Sequence, residues 1–186
     1  MVAATALLDA GGEAAVTLRA VAAATGLSHN APYKHFASRD ALLAAVAVAD
    51  FRELADTFRG AKHSPQAPKD QLRAALEAVI RFSENHPGRY RLLLSNPIVA
   101  AQEGELKDAA TGAFRRFAEL IEACQADGTL PAVSSNALAE IVFAALHGLI
   151  DAEASGRLHS GKGLENVRDS MGLFLQLLSP QPAVPE

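Results

Sequence analysis

The fold of the N-terminal part of this chain is decided by residues 17–43, TLRAVAAATGLSHNAPYKHFASRDALL. The apolar residues of its first half recur at the three-to-four spacing of a helix with one buried face, at Leu18, Val21 and Ala22. Gly26 can end that helix in a left-handed conformation, and Leu27 is expected to fill the gap before a second helix over residues 30–35. Phe36 is expected to anchor the second helix inward. Two short helices joined by such a turn predict a helix-turn-helix.

The second of these helices carries side chains that suit a nucleic-acid surface. They are Ser28, His29, Asn30, Tyr33, Lys34 and His35. Asn and Lys suit base edges, whereas Tyr, Lys and His suit phosphate oxygens. Arg19 and Arg39 flank the segment, and the helix starts near Thr17 and Ser38 offer backbone N–H groups to phosphates. The alternative is that the hydroxyls of Thr17 and Ser38 only cap helices. In the same way, the rings of Tyr33 and His35 could only cover the surface of the head.

Composition places the rest of the chain in the all-α class. Hydrophobic residues make up 49% of the 186, aromatic residues only 5%, and the net charge is −4. Because the balance is acidic, a DNA-binding hypothesis depends on where the few cations lie. The lone cysteine, Cys124, excludes an internal disulfide and predicts inert packing in a reducing, cytoplasmic compartment. We expect no cofactor, no metal site and no membrane segment.

Helix-period patterns separated by Gly, Pro and capping residues predict about nine helices. The first is expected to stop at Gly11 and Gly12. Residues 1–45 form a three-helix head, which a fourth helix over residues 39–59 joins to a body over residues 46–179. A proline-rich tail, residues 180–186, is expected to be disordered. The eighth and ninth helices have more apolar surface than a monomer's edge needs, which predicts a homodimer paired through them.

The head resembles that of the tetracycline-repressor (TetR) family. The matching residues are Thr17, Val21, Ala22, Gly26, Leu27, Ser28, Tyr33, His35, Phe36, Ser38, Arg39 and Leu42. The resemblance implies phosphate contacts by Thr17, Tyr33, Lys34, His35 and Arg39. It implies base contacts by Ser28, His29, Asn30 and Lys34. Family members usually have another helical turn and a basic arm ahead of the position of Met1. Three explanations are open: the start codon is assigned too far downstream, a flexible leader has been trimmed, or phosphate affinity is reduced.

The body resembles the subgroup of that family with a Trp-His-Gly motif, here Phe143 to Gly148 with Phe in place of Trp, and the segment from His86 to Leu92 fits the same subgroup. A helical body of this size can enclose a cavity for a small apolar ligand. The candidate lining residues are Phe82, Tyr90, Leu94, Phe114, Phe117, Ile121, Phe143 and His147. The alternative is that these side chains are simply core.

Three functions compete as interpretations of these residues. The first is a transcriptional regulator, as a rule a repressor, that a small apolar ligand releases from a palindromic operator by tilting the fourth helix. The second is a helical sensor or interaction protein that has lost DNA binding. The third is an enzyme, which the sequence disfavours because it carries no carboxylate pair, metal-spaced His cluster, phosphate loop or nucleophile motif. The sequence favours the first.

Overall fold

The structure, a computed structural model, describes residues 1–28, 30–101, 104–159, 161 and 163–180. Within these ranges the chain forms nine α-helices and one short 3₁₀ helix, which confirms the all-α class. The helices are α1 (Val2–Ala15), α2 (Leu18–Thr25), the 3₁₀ helix (Pro32–Lys34), α3 (Arg39–Lys62), α4 (Pro68–Asn85), α5 (Pro87–Ser95), α6 (Pro97–Ala101), α7 (Gly104–Ala126), α8 (Ser135–Ala154) and α9 (Val167–Leu178). In the described ranges, no helix combines the length and the apolar character that crossing a membrane requires.

The boundaries of α2 and the start of α3 follow the capping signals that the sequence contains. The Thr17 hydroxyl accepts a hydrogen bond from the Ala20 N–H at 3.0 Å, and the Ser38 hydroxyl accepts one from the Ala41 N–H at 3.0 Å. Gly26 ends α2 in the left-handed conformation, with φ at +67°. This conformation is unfavourable for residues that have a Cβ. The predicted caps and the left-handed turn are therefore confirmed.

The helical geometry of α1 breaks at Gly12, where φ is +65° and ψ is −167°, so the predicted stop at Gly11 and Gly12 is confirmed. Glycine adopts this backbone conformation readily because it has no Cβ. A short further helical stretch then runs to Ala15. One element differs from the sequence prediction: Pro97 begins the short helix α6, which the sequence pattern did not predict.

The chain divides into two compact units. Unit 1 contains Met1–Asp56 and Arg81–Ala113, and unit 2 contains Thr57–Ile80 and Phe114–Glu186. Their boundaries fall inside α3, α4 and α7, so these helices contribute residues to both units. The predicted division after residue 45 stays a prediction, and the predicted tail from residue 181 onward lies outside the described residues.

Each unit has its own apolar core. The fully buried side chains of unit 1 include Leu8, Val16, Leu42, Leu43, Val46 and Leu92. Those of unit 2 include Phe58, Leu72, Phe117, Leu120, Ile121 and Leu146. In unit 2 the Phe58 and Phe117 rings pack with centroids 5.5 Å apart, in a tilted arrangement that aromatic pairs favour.

A buried ion pair lies in the core of unit 1. The Asp50 side chain on α3 is 1% exposed, and the Arg89 guanidinium on α5 donates hydrogen bonds to both of its carboxylate oxygens. Burial raises the pKa of Asp50, while the hydrogen bonds from Arg89 oppose that rise. The bond to Asp50 in turn raises the pKa of Arg89. The pair therefore joins α3 to α5, and the Arg89 guanidinium also lies 3.4 Å from the exposed Glu53 carboxylate.

We predict that Arg89→Ala lowers the free energy of unfolding by about 3–5 kcal/mol, because it leaves a carboxylate buried without its cation. Arg52→Ala, which removes an exposed pair with Glu105, is the control and should cost less than about 1 kcal/mol. Urea unfolding measures both. Equal losses for the two variants would contradict the role given to burial.

The Arg89→Ala defect should also depend on pH. Without the guanidinium nothing opposes the desolvation that raises the pKa of Asp50, so its folded pKa lies above its unfolded one. The folded state then binds the proton more tightly, and stability falls as pH rises from the unfolded toward the folded pKa. The deficit relative to the wild type is therefore expected to be smaller at pH 5 than at pH 8.

Candidate nucleic-acid interface

The reading segment, residues 28–35, lies between the left-handed end of α2 and the start of α3. His29 lies outside the described residues. The Ala31 N–H donates to the Ser28 carbonyl at 2.9 Å and the His35 N–H to the Pro32 carbonyl at 3.0 Å, both spanning three residues. The short helix expected over residues 30–35 is thus present as the 3₁₀ helix Pro32–Lys34 and not as an α-helix. Pro32 explains the difference, since it has no N–H with which to donate to Ser28.

The residue that packs into the interior of the head beside this segment is Pro32 and not, as predicted, Leu27. Leu27 is 58% exposed, so the prediction that it fills the gap between two helices is wrong. Its backbone N–H donates to the Ala22 carbonyl at 3.1 Å, which ties it to the end of α2 outside the core. Pro32 is buried instead. The residue pattern carries no signal for this inward position, because proline is mostly exposed in proteins.

Most of the predicted DNA-contacting side chains lie at the surface of unit 1. The exposed members are Thr17, Arg19, Ser28, Asn30, Tyr33, Lys34 and His35. Tyr33 is 57% exposed, so its ring and hydroxyl are accessible to a partner. The chain thus has, along one segment, the donors and the cation that phosphate and base contacts require. Their individual contacts to DNA stay predictions.

Arg39 differs from the other predicted contacts because its side chain is half-buried. Its Nε donates to the Val16 carbonyl at 2.8 Å, and its Nη2 donates to the Glu13 carbonyl. These bonds satisfy backbone acceptors at the end of α1. The guanidinium therefore connects α1 to the first residue of α3. The sequence prediction assigned it to phosphate, and nothing in the residue pattern pointed to this internal role.

In unit 2, three predicted ligand-binding residues come together. The ring of Phe117 lies 5.4 Å from that of Phe143, and Phe143 lies 4.2 Å from the His147 ring in a T-shaped arrangement. Burial lowers the pKa of His147 to about 4, so its imidazole is neutral at pH 7. This surrounding favours an uncharged, apolar contact. Ile121, on the same helix as Phe117, is fully buried.

The remaining candidates have varied surroundings. In unit 1, Phe82 lies 5.1 Å from the Arg89 guanidinium in a cation–π contact, Tyr90 is buried and Leu94 is 41% exposed. In unit 2, Phe114 is half-buried. A groove of about 510 Å³ in unit 2 is lined by residues of α4 and α9, and none of the eight candidates borders it. The ligand-binding assignment stays a prediction.

The thiol of Cys124 is poorly reactive in its surroundings. Cys124 is buried, and desolvation raises the pKa of its thiol to about 11, so the thiolate is scarce at neutral pH. Among the residues that the structure describes, no group of three or more His, Cys, Asp or Glu side chains could hold a metal ion.

Two family models match the chain. The one described as "Bacterial regulatory proteins, tetR family" matches residues 1–46, which include the helix-turn-helix. The one described as "Tetracyclin repressor-like, C-terminal domain" matches residues 72–176, more than half of the chain. Together they cover the DNA-binding head and most of the body.

Known relatives are consistent with these matches. An HTH-type transcriptional regulator of Mycobacterium bovis is 35% identical over 94 residues, which are 50% of this chain and 40% of the relative. The matched region thus spans less than half the length of that relative. Among solved structures, a Rhodococcus sp. RHA1 protein of unknown function has a TM-score of 0.77 at 24% identity, covering 95% of this chain and 92% of its own. A TetR family transcriptional regulator, PfmR from Thermus thermophilus, has a TM-score of 0.66 at 19% identity, with 97% of both chains covered.

Proposed function

Because the chain belongs to the TetR family of bacterial regulators, we propose that it is a DNA-binding transcriptional repressor, which a small apolar ligand releases from a palindromic operator. The observation that carries this proposal is the exposed polar surface of the reading segment. Asn30, Tyr33 and Lys34 all lie outside the core, directly after the left-handed turn at Gly26. A segment after such a turn is the part of a helix-turn-helix that enters the major groove.

The distribution of charge supports this assignment despite the acidic composition. Lys34 and Arg19 are exposed on unit 1, whereas Arg89, in the same unit, is bound to Asp50 inside it. Cations that are exposed near the reading segment can displace counterions from phosphates, and buried ones cannot. The net charge of −4 therefore lowers long-range attraction without removing the local contacts.

The proposed homodimer pairs α8 and α9 with their copies. On α8 the residues Ala137, Ile141, Ala144 and Gly148 are all exposed, and their four–three–four spacing places them along one face. Ile141 is 55% exposed, and Leu177 on α9 is 76% exposed. The two helices pack on each other within the protomer. A twofold pairing would cover this apolar face and form a four-helix interface.

The proposed ligand site uses the aromatic residues of unit 2. Phe117, Phe143 and His147 form a contiguous group, and the neutral imidazole adds no charge that would require an ionic ligand. Small-molecule sites are mostly apolar with a few polar groups, a description that this group fits. Ligand binding would shift the protein toward a conformation with low operator affinity.

We predict that Lys34→Ala and Tyr33→Ala each weaken operator binding by about 1–3 kcal/mol, because each removes a contact to DNA. For Lys34→Ala the slope of log affinity against log salt concentration should also become less steep by about 0.9, the contribution of one phosphate contact. Gel shifts on a duplex selected by the wild-type protein from a random pool give both quantities. Lys107→Ala, on the exposed side of α7, is the control and should change neither. Unchanged binding in both test variants would remove the proposed interface.

We predict that Leu177→Glu converts the dimer to a monomer at micromolar concentration, because pairing would bury a carboxylate in an apolar interface. Sedimentation velocity distinguishes the two states. Val133→Glu is the matched control, since Val133 is also exposed but lies before α8 rather than on the proposed face. A dimer that survives Leu177→Glu, or a wild-type protein that is monomeric, would contradict this interface.

We predict that at least one apolar compound raises the melting temperature and releases the operator. A panel of straight-chain fatty acids, phenols and steroids is a suitable set of probes. A ligand at about 100 times its Kd stabilises the native state by about 2.7 kcal/mol. Phe143→Ala should abolish the response, whereas Phe51→Ala on α3 should keep it. A compound that raises the melting temperature equally in both variants binds somewhere else.

A further inference from the structure

The backbones of α1 and α5 touch at Gly88, within unit 1. A Cβ added to Gly88 would lie 2.2 Å from the carbonyl oxygen of Leu8 and 3.1 Å from its carbonyl carbon. Real Cβ atoms do not approach a backbone atom so closely, and Leu8 itself is fully buried. This close approach therefore requires glycine, and any other residue must push the two helices apart.

Two further hydrogen bonds join α5 to α1, and along α5 they lie on either side of Gly88. The His86 Nδ1 donates to the Asp9 carboxylate at 2.9 Å, and His86 is the residue immediately before α5. The Asn96 Nδ2 donates to the Glu13 carboxylate at 2.6 Å, and Asn96 is the residue immediately after α5. The two bonds thus start from opposite ends of α5. A helix held at both ends and at one backbone contact cannot tilt without breaking one of them.

The same part of α1 is connected to the reading segment. The Glu13 carbonyl accepts from Arg39, which begins α3 four residues after the end of the segment. Arg89 of α5 is paired with Asp50 further along α3. Helix α5 therefore holds α3, which follows the reading segment, and also α1, which lies ahead of it in the chain.

We propose that Gly88, with the pairs His86–Asp9 and Asn96–Glu13, forms a set of positioning residues that orient the reading segment. This set makes no contact with DNA in the proposed mode of binding. Its effect would be on the half-site spacing that the dimer accepts, because a tilted head presents its segment at a different place along the duplex. The inference rests on the proposed function.

The first test is Gly88→Ala, measured on operators whose central spacing is changed by one or two base pairs in either direction. The operator is the one that the full-length wild-type protein selects from a random pool. We expect Gly88→Ala to lose about tenfold or more on the selected operator and to prefer a different spacing. Gly60→Ala is the matched control: Gly60 is also helical, with no atom near an added Cβ, and it should keep the wild-type affinity and spacing.

A second variant covers the case in which Gly88→Ala does not fold. Asn96→Asp keeps the side-chain oxygen that accepts from the Ile98 N–H at 2.8 Å, but it places a carboxylate against Glu13. We expect about a tenfold loss of affinity and a shifted spacing preference. Adding Glu13→Gln supplies a donor to that carboxylate and should restore affinity to within about threefold.

The outcomes separate this inference from the proposed function. If the wild-type protein selects no duplex, the proposed function fails and the inference fails with it. If the wild-type protein binds but the variants lose affinity equally at every spacing, these residues only stabilise the fold, and the positioning role is wrong. The same conclusion follows if Glu13→Gln does not rescue Asn96→Asp. A shifted spacing preference together with rescue supports the positioning role.

Discussion

The contact between α1 and α5 is the constraint on which the arrangement of unit 1 depends. Gly88 brings the two backbones within van der Waals distance, so the angle of α1 is set by a peptide bond rather than by a deformable side chain. The residues involved are about eighty positions apart in the chain, and closing such a loop costs conformational entropy that the buried core must offset. Helix α3, which follows the reading segment, then joins α5 through the pair of Asp50 and Arg89.

Some cations of unit 1 bond to acceptors of the protein, and others are exposed. Arg39 and Arg89 donate to acceptors inside unit 1 and fix one helix against another. Lys34 and Arg19 are exposed, and in the proposed function they meet phosphates. The charge of Arg89 is neutralised by the Asp50 carboxylate, so it adds rigidity but little field outside the protein. Arg39 donates to neutral carbonyls, so its charge is not cancelled there. In the proposed function, the exposed cations would give a local positive surface to a chain whose net charge is −4.

The composition of α8 predicts apolar surface on the helix but does not say what covers that surface. The sequence predicts more apolar surface on this helix than the edge of a monomer needs. In the protomer, however, Ile141 and its neighbours on that face are exposed, while Leu138, Val142 and Leu146 are in the core. One side of the helix is thus covered by its own chain. The other side is exposed, and the homodimer proposal assigns a second copy to it.

The sequence by itself determined the all-α class, the caps at Thr17 and Ser38 and the turn at Gly26, because these depend on residues only a few positions apart. It also indicated the exposed surface of the reading segment, since polar side chains there had no local partner. Only the tertiary structure decided that Leu27 is exposed, that Pro32 is buried and that Arg39 is bound to α1. These outcomes depend on which distant backbone acceptors and which volumes come together on folding, and a local pattern contains neither.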